Sequence, residues 1–311
     1  MAASALRIGT RGSKLALVQA REAAQRLALC HGWLAAPGAI EIVPIRTTGD
    51  AQQTRLLAEI GGKGLFTKEI DEALLGGRIE LAVHSLKDLP TWLPDGVLLA
   101  AVLEREDPRD VFIARGAHRL AELPRGASVG SASLRRAAQL LHRRPDLKIV
   151  PLRGNVDTRI AKIAAGEADA TLLALAGLKR LGLMDRVGSI METDEMLPAV
   201  GQAAIGITAR ADDTRTRSLL AAIDHRESAL RITAERAMLA VLDGSCRTPI
   251  AWLAELSSEG ALRLQGLVAL PDGSELVRST ASGAADAAVA IGQALGAELR
   301  SRAGAKFFAA A

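Results

Sequence analysis

Aromatic side chains are scarce in this chain. They make up 2% of its 311 residues, and tyrosine is absent altogether. Cores must therefore be built from Leu, Ile, Val and Ala, and base-stacking platforms for single-stranded nucleic acid are not expected. Cysteine occurs only at Cys30 and Cys246, which is no disulfide framework. The five histidines show no metal-ligand spacing with those cysteines, so no metal site is expected. Apolar runs such as Ala170–Gly177 are core-sized and fall short of a membrane span. A strong charge bias is also lacking. Lys and Arg number 39 against 35 Asp and Glu, a net charge of +4 with no basic tail. That excess is a weak footprint for nucleic acid; a basic cleft for a small acidic ligand explains it more economically. The opening residues Met1–Ile8 carry no charged segment followed by an apolar one, so a cytoplasmic enzyme or binding protein is the expectation.

What is present is an alternation of two periodicities. At 311 residues the chain has room for two or three domains. Leu6–Gly9 reads as a short strand and Thr10–Ser13 as a loop. Leu15, Ala16, Ala20, Ala23, Leu27 and Cys30 then recur at helical spacing behind Ser13 as N-cap. Strands at Ile40–Ile45, Leu81–His84, Ala127–Gly130, Lys148–Leu152 and Ala170–Ala174 alternate with helices over Leu65–Leu75, from about Leu134, and through Val156, Ile160 and Ile163. Such alternation predicts parallel sheets covered on both faces, with ligands bound outside the carboxyl ends of the strands. The segments Glu104–Arg109 and Thr193–Gly206 read as inter-domain crossings. After Ala221 the pattern changes to a long helix over Glu227–Leu242, turns at Ser257–Gly260 and Pro271–Gly273, and an Ala-rich helix over Ala284–Leu299. This predicts a smaller α+β domain with a hairpin sheet.

Four loops share one form, in which a polar or glycine-rich turn with a cation lies between strand and helix. They are Thr10–Ser13 with Arg11, Gly61–Gly64 with Lys63, Ser131–Arg136, and Arg153–Asn155 with Arg159. Helix N-termini bind anions, and arginine grips carboxylates through two N–H groups. Any one such loop is an ordinary cap with solvated charge; four together describe a cleft for a polyanion. Asp88, in His84–Pro90, follows a buried-type strand and neighbours Lys87, which favours its charged form. Two readings of it stand: an acid–base or cation-stabilising carboxylate, or a structural turn residue before Pro90. His84 reads as a packed residue rather than a metal ligand. Cys246 lies on the loop Leu242–Pro249 beside Arg247, accessible and electrostatically poised. Cys30, on the apolar stripe of the first helix, is expected to be inert core.

Several stretches, in order, resemble the porphobilinogen deaminase family along nearly the whole chain. They are Leu6–Leu17, Gly62–Glu69, His84–Pro90, Ser133–Arg136, Leu152–Val156 with Thr158 and Arg159, Ala176–Gly182, and Cys246 with Pro249 and Ile250. The resemblance implies an α/β fold class: two periplasmic-binding-protein-like doubly wound domains plus a smaller C-terminal α+β domain. The implied boundaries are 1–103 with 204–221, 109–197, and 226–311. It implies a dipyrromethane cofactor in thioether linkage to Cys246, with porphobilinogen and the growing polypyrrole chain as ligands, in a monomer without nucleic acid, membrane or metal partners. It implies Asp88 as the catalytic carboxylate. Ser85, Lys87, Asp88, Ser133, Arg135, Arg136 and Arg153 would hold the cofactor, and Arg11, Ser13, Lys63, Phe66, Arg153, Arg159 and Arg180 the substrate. Three positions depart from the commoner pattern: Glu59 where lysine is frequent, Ser245 where glycine is frequent, and Ala203 where Gly-Gln-Gly is usual. The rival reading, a non-catalytic two-lobed protein binding a polycarboxylate, accounts for the cation loops. It does not account for Asp88 beside them or for the accessible Cys246.

Overall fold

The computed structural model describes residues 5–51, 64, 66–242 and 248–308; Glu59, Lys63, Ser245, Cys246 and Arg247 lie outside the described residues. The contacts divide the chain into two units. One gathers the described residues of 1–54, 62–106 and 203–229; the other gathers those of 107–202 and 230–311.

The first unit is built on a five-stranded sheet of β1 (Leu6–Arg11), β2 (Ile40–Ile45), β3 (Leu81–Ser85), β4 (Val97–Val102) and β10 (Ile205–Arg210), in the order β2-β1-β3-β10-β4. Alternation along β3 explains why both faces are covered. Leu81 and Val83 pack with Ile8, Ile205 and Ile207 under helix α1 (Lys14–Cys30), whose Ala20, Ala23 and Leu27 face that core. Ala82 points the other way, to Ile70, Ala73 and Leu74 of a later helix, Lys68–Leu75. Leu27 is fully buried, so truncating it to alanine costs about 2–5 kcal/mol. Ser13 caps α1 by accepting from the Ala16 amide at 3.2 Å. The short helix α2 (Thr48–Ala51) follows β2; Lys68–Leu75 is α3, and it starts three residues later than the sequence pattern places it.

The second unit carries two sheets. The first, in the order β7-β6-β8-β5-β9, comprises β5 (Asp110–Ala114), β6 (Ser128–Gly130), β7 (Lys148–Val150), β8 (Ala170–Ala174) and β9 (Ser189–Ile190). Its helices are α4 (Leu134–Arg143), α5 (Val156–Ala164) and α6 (Leu175–Leu181). Phe112, Val129, Leu172 and Leu140 fill one face; Val111, Ile113, Leu173 and Leu178 fill the other. Helices α7 (Thr214–Ala221) and α8 (Arg226–Val241) follow β10. The second sheet is an antiparallel meander of β11 (Ile250–Leu256), β12 (Ala261–Ala269) and β13 (Leu276–Ala284), ending in helix α9 (Ala288–Ala303). Residues 276–284 are thus strand, and the last helix begins four residues after Ala284. Trp252, Leu262 and Leu264 meet Ala234, Met238, Leu295 and Leu299 on one face of the meander. Gly292 lets α9 approach α8, because a Cβ there would sit 2.3 Å from the Ala234 carbonyl oxygen.

Three expectations are corrected. The sheets are mixed rather than parallel: β10 runs antiparallel to β3 and β4, and β5 antiparallel to β8. Both strands are entered straight from a crossing between the units rather than through a helical crossover, so the alternation rule does not govern them. The second crossing ends earlier than expected, since β10 begins at Ile205. Cys30 is exposed rather than core. It is the last residue of α1, and the core that buries Leu27 one turn earlier does not reach it; its Sγ lies 3.6 Å from the Ala222 carbonyl oxygen.

His84 is buried as expected and pairs through Nε2 with the Thr208 hydroxyl at 3.0 Å. Burial, with a smaller contribution from the Arg11 charge, pushes its pKa down to about 4. The unfolded chain therefore binds a proton that the folded chain refuses. The stability His84 contributes is complete above pH ~6.5 and is lost as pH falls towards about 4, by roughly 3 kcal/mol in total. Denaturant melts of wild type and His84→Asn across this window should show the steeper loss in wild type; parallel curves would contradict the assignment.

Candidate active site

In the first unit, β2, β1 and β3 are adjacent and parallel, with β1 in the middle. Their carboxyl ends consequently deliver three loops to one edge of the sheet. The β1 end supplies Arg11 and Ser13, the β3 end supplies Ser85, Lys87 and Asp88, and the β2 end supplies Thr47–Asp50. Asp88 lies on a single 3-10 turn, Leu86–Asp88, and its side chain is 36% exposed. Arg11 is the hub. Its Nη1 lies 3.6 Å from Asp88 Oδ2, its Nε donates to Asp50 Oδ1 at 3.2 Å, and its Nη2 forms an ion pair with Asp50. The Phe66 ring stacks on the guanidinium, with Arg11 Cζ 4.2 Å from the ring centroid. Burial works against ionisation of Asp50, but hydrogen bonds from Arg11 and Thr47 outweigh it and hold the carboxyl below its ordinary value. The Ser85 hydroxyl donates to Gln19 Oε1 at 2.9 Å, and Lys87 is exposed beside Asp88.

The second unit repeats the device. Here β7, β6 and β8 are adjacent and parallel with β6 in the middle. Arg153 follows β7, Ser133, Arg135 and Arg136 follow β6, and Arg180 lies on α6 after β8. Ser133 caps α4, accepting from the Arg136 amide at 3.4 Å. Asp110 is fully buried and takes both neighbouring arginines: Arg135 Nη2 donates to Oδ2 and Arg136 Nη2 to Oδ1, each at 2.8 Å. Arg136 Nε adds a longer bond to Oδ2 at 3.4 Å, and Gln202 Nε2 donates to Oδ1 at 2.8 Å. Burial disfavours the Asp110 charge, but the two guanidiniums overcome it and hold the carboxyl far below the usual carboxylate range. Arg135 Nη1 also donates to Leu197 O at 2.7 Å and Arg136 Nη1 to Leu172 O at 2.9 Å. Arg153 differs, because its Nη2 is buried without a hydrogen-bond partner. Arg159 Nε donates to the Gly154 carbonyl at 2.8 Å. Gly154 itself has φ +120°, and a Cβ there would lie 2.7 Å from Thr158 Cγ2, so this turn requires glycine.

Each sheet edge therefore collects its own share of the residues expected from the sequence, while Lys63 and Cys246 lie outside the described residues. Three side chains were missed. Asp50 follows its strand in Thr47-Thr48-Gly49-Asp50, the same strand–loop signature as the cation loops but with the opposite charge. Gln19 is a buried polar residue on the stripe of α1. Asp110 stands at the first position of a strand that reads as wholly apolar after it. Among the described residues no group of His, Cys, Asp and Glu could hold a metal ion, and no helix is long and apolar enough to cross a membrane.

An exposed carboxylate beside an arginine at one sheet edge, with buried and half-buried guanidiniums at another, is the arrangement suited to an α/β enzyme that handles a carboxylate-bearing ligand. Residues 6–218 match the family model described as porphobilinogen deaminase, dipyromethane cofactor binding domain, and residues 229–301 match porphobilinogen deaminase, C-terminal domain. The chain belongs to the porphobilinogen deaminase family. It is 56% identical over 303 residues to the porphobilinogen deaminase of Paracoccus denitrificans, covering 97% of this chain and 96% of that one. It is 52% identical over 307 residues to the chloroplastic porphobilinogen deaminase of Oryza sativa subsp. japonica, covering 98% of this chain and 86% of that one.

A dipyrromethane cofactor carries acidic side chains and pyrrole N–H groups. The donor set fits it: among the described residues the buried Nη2 of Arg153 has no hydrogen-bond partner and is suited to a carboxylate, and Asp88 can accept from an N–H. Asp110→Asn would leave Arg135 and Arg136 buried without a counter-charge and should destabilise the fold by about 3–5 kcal/mol. A urea melt reads this directly, and an unchanged midpoint would show that the pair does not depend on Asp110.

Proposed function

We propose that this chain joins four porphobilinogen molecules head to tail into hydroxymethylbilane, releasing one ammonia for each unit added. The observation that carries this reading is the exposed Asp88 carboxylate, 3.6 Å from Arg11 at the carboxyl edge of parallel strands, within a stretch matched by the family model. When bound, the dipyrromethane cofactor supplies the free pyrrole α-carbon from which the chain starts. Loss of ammonia from the substrate's aminomethyl group leaves a cation spread onto the pyrrole nitrogen. Asp88 stabilises that charge and assists protonation of the departing amine. Each unit brings an acetate and a propionate, which Arg11, Arg153, Arg159 and Arg180 grip, with Ser13, Lys63 and Phe66 assisting. Ser85, Lys87, Ser133, Arg135, Arg136 and Arg153 hold the cofactor, whose attachment is a thioether to Cys246. For Arg135 and Arg136 this role falls to the N–H groups committed neither to Asp110 nor to the Leu197 and Leu172 carbonyls. We further propose three domains, 1–103 with 204–221, 109–197 and 226–311, in a cytoplasmic monomer.

Two measurements test this. Intact mass should exceed the sequence mass by two deaminated porphobilinogen units. Cys246→Ser should lose that excess and Cys30→Ser should keep it, even though Cys30 is exposed; full activity in unmodified protein would sink the assignment. Asp88→Asn keeps the shape of the side chain and removes its charge. In protein shown by mass to be holoenzyme, turnover should fall by about 10²–10⁴-fold, while Asp88→Glu turns over slowly. Turnover near wild type in the Asn variant would make Asp88 a turn residue only.

A further inference from the structure

We propose that Asp50 is a positioning residue for the Arg11–Asp88 pair, holding the guanidinium back so that the catalytic carboxylate stays free of a tight ion pair. The inference rests on the role of Asp88 given above. Arg11 Nε lies 3.2 and 3.3 Å from the two Asp50 oxygens, and Nη2 is paired with Asp50 as well. Only Nη1 is left to face Asp88, and 3.6 Å is too long for a hydrogen bond. Asp50 is itself anchored. The Thr47 hydroxyl donates to its Oδ2 at 2.8 Å, and its amide donates to the Thr47 carbonyl at 3.1 Å. Phe66 against the guanidinium face restricts the remaining swing of Arg11. The Arg11 and Asp50 side chains are 24% and 26% exposed, so solvent does not screen the pair fully. Without the Asp50 charge, the nearest anion for Arg11 among the described residues is Asp88. The guanidinium would close on it, occupying the lone pairs that must face a pyrrole N–H and withdrawing from the substrate carboxylate.

The test uses holoenzyme verified by mass, with kcat, KM and Tm measured for Asp50→Asn, Asp50→Glu, Arg11→Gln and the double variant Asp50→Asn/Arg11→Gln. Asp50→Asn should lower kcat by about 10–100-fold while Tm moves by no more than about 3 °C. Asp50→Glu should recover most of that loss. In the Arg11→Gln background, Asp50→Asn should add less than about twofold, since the residue it restrains is gone. Multiplicative losses in the double variant, or an Asp50→Asn kcat within about twofold of an active wild type, would overturn the inference alone. Wild-type holoenzyme that makes no bilane would overturn the proposed function and this inference together.

Discussion

Parallel pairing of three neighbouring strands, once in each α/β sheet, is the constraint on which the site depends. Parallel strands end at the same edge, so the loops after β2, β1 and β3 must converge, as must those after β7, β6 and β8. Each loop then enters or borders a helix start, where backbone N–H groups lack partners and polar caps are favoured. Ser13, Ser133 and Asn155 satisfy that need at three of these starts.

Collecting arginines creates an electrostatic cost, and the two units meet it differently. Arg11 is partly exposed and shared between Asp50 and Asp88, so its charge is balanced yet one nitrogen remains presented. Arg135 and Arg136 are almost fully buried, and a single carboxylate, Asp110, compensates both with help from main-chain carbonyls. Burial of this kind is costly unless every partner is in place. That explains why Gln202 is recruited to the same carboxylate. Arg153 stands apart, since its buried nitrogen has no hydrogen-bond partner among the described residues, a cost that an incoming acceptor would offset.

The segment leading out of the second unit is held from several directions. Gln139 exchanges hydrogen bonds with Leu197, donating to its carbonyl at 3.0 Å and accepting from its amide at 2.8 Å. The Trp252 amide donates to Pro198 O at 3.1 Å. Glu235, fully buried, accepts from the amides of Gly201 and Ala254 at 2.7 and 2.9 Å. One residue beyond Gln202, Ala203 adopts φ +73°, the one left-handed non-glycine among the described residues. An alanine there costs about 1–2 kcal/mol, which the surrounding bonds sustain. The departure from glycine at this position is therefore a strained substitution.

The sequence alone determined the strands at Ile40–Ile45 and Ala170–Ala174 to the residue, the cap at Ser13, and the placement of Arg11, Asp88 and Arg153 at or just past the ends of their strands. Period-2 and period-3.6 patterns and turn chemistry are local, and local signals survive without a fold. Orientation of β5 and β10 was not legible, because a strand's direction is set by how the chain arrives and not by its own side chains. Cys30 was misplaced for a related reason: its spacing marks the apolar stripe of α1, but only the extent of the core beneath decides where that stripe stops being covered. The anions were the larger omission. Asp50 shares the strand–loop signature of the cation loops and Asp110 opens an apolar strand, but each matters because folding brings it, across 39 residues of sequence to Arg11 and 25 to Arg135, within ion-pair distance of a cation. Residue type announces that an arginine needs a partner; which carboxylate serves, and which guanidinium nitrogen is left over for a ligand, is decided by tertiary structure, because Coulomb attraction acts on distance in space.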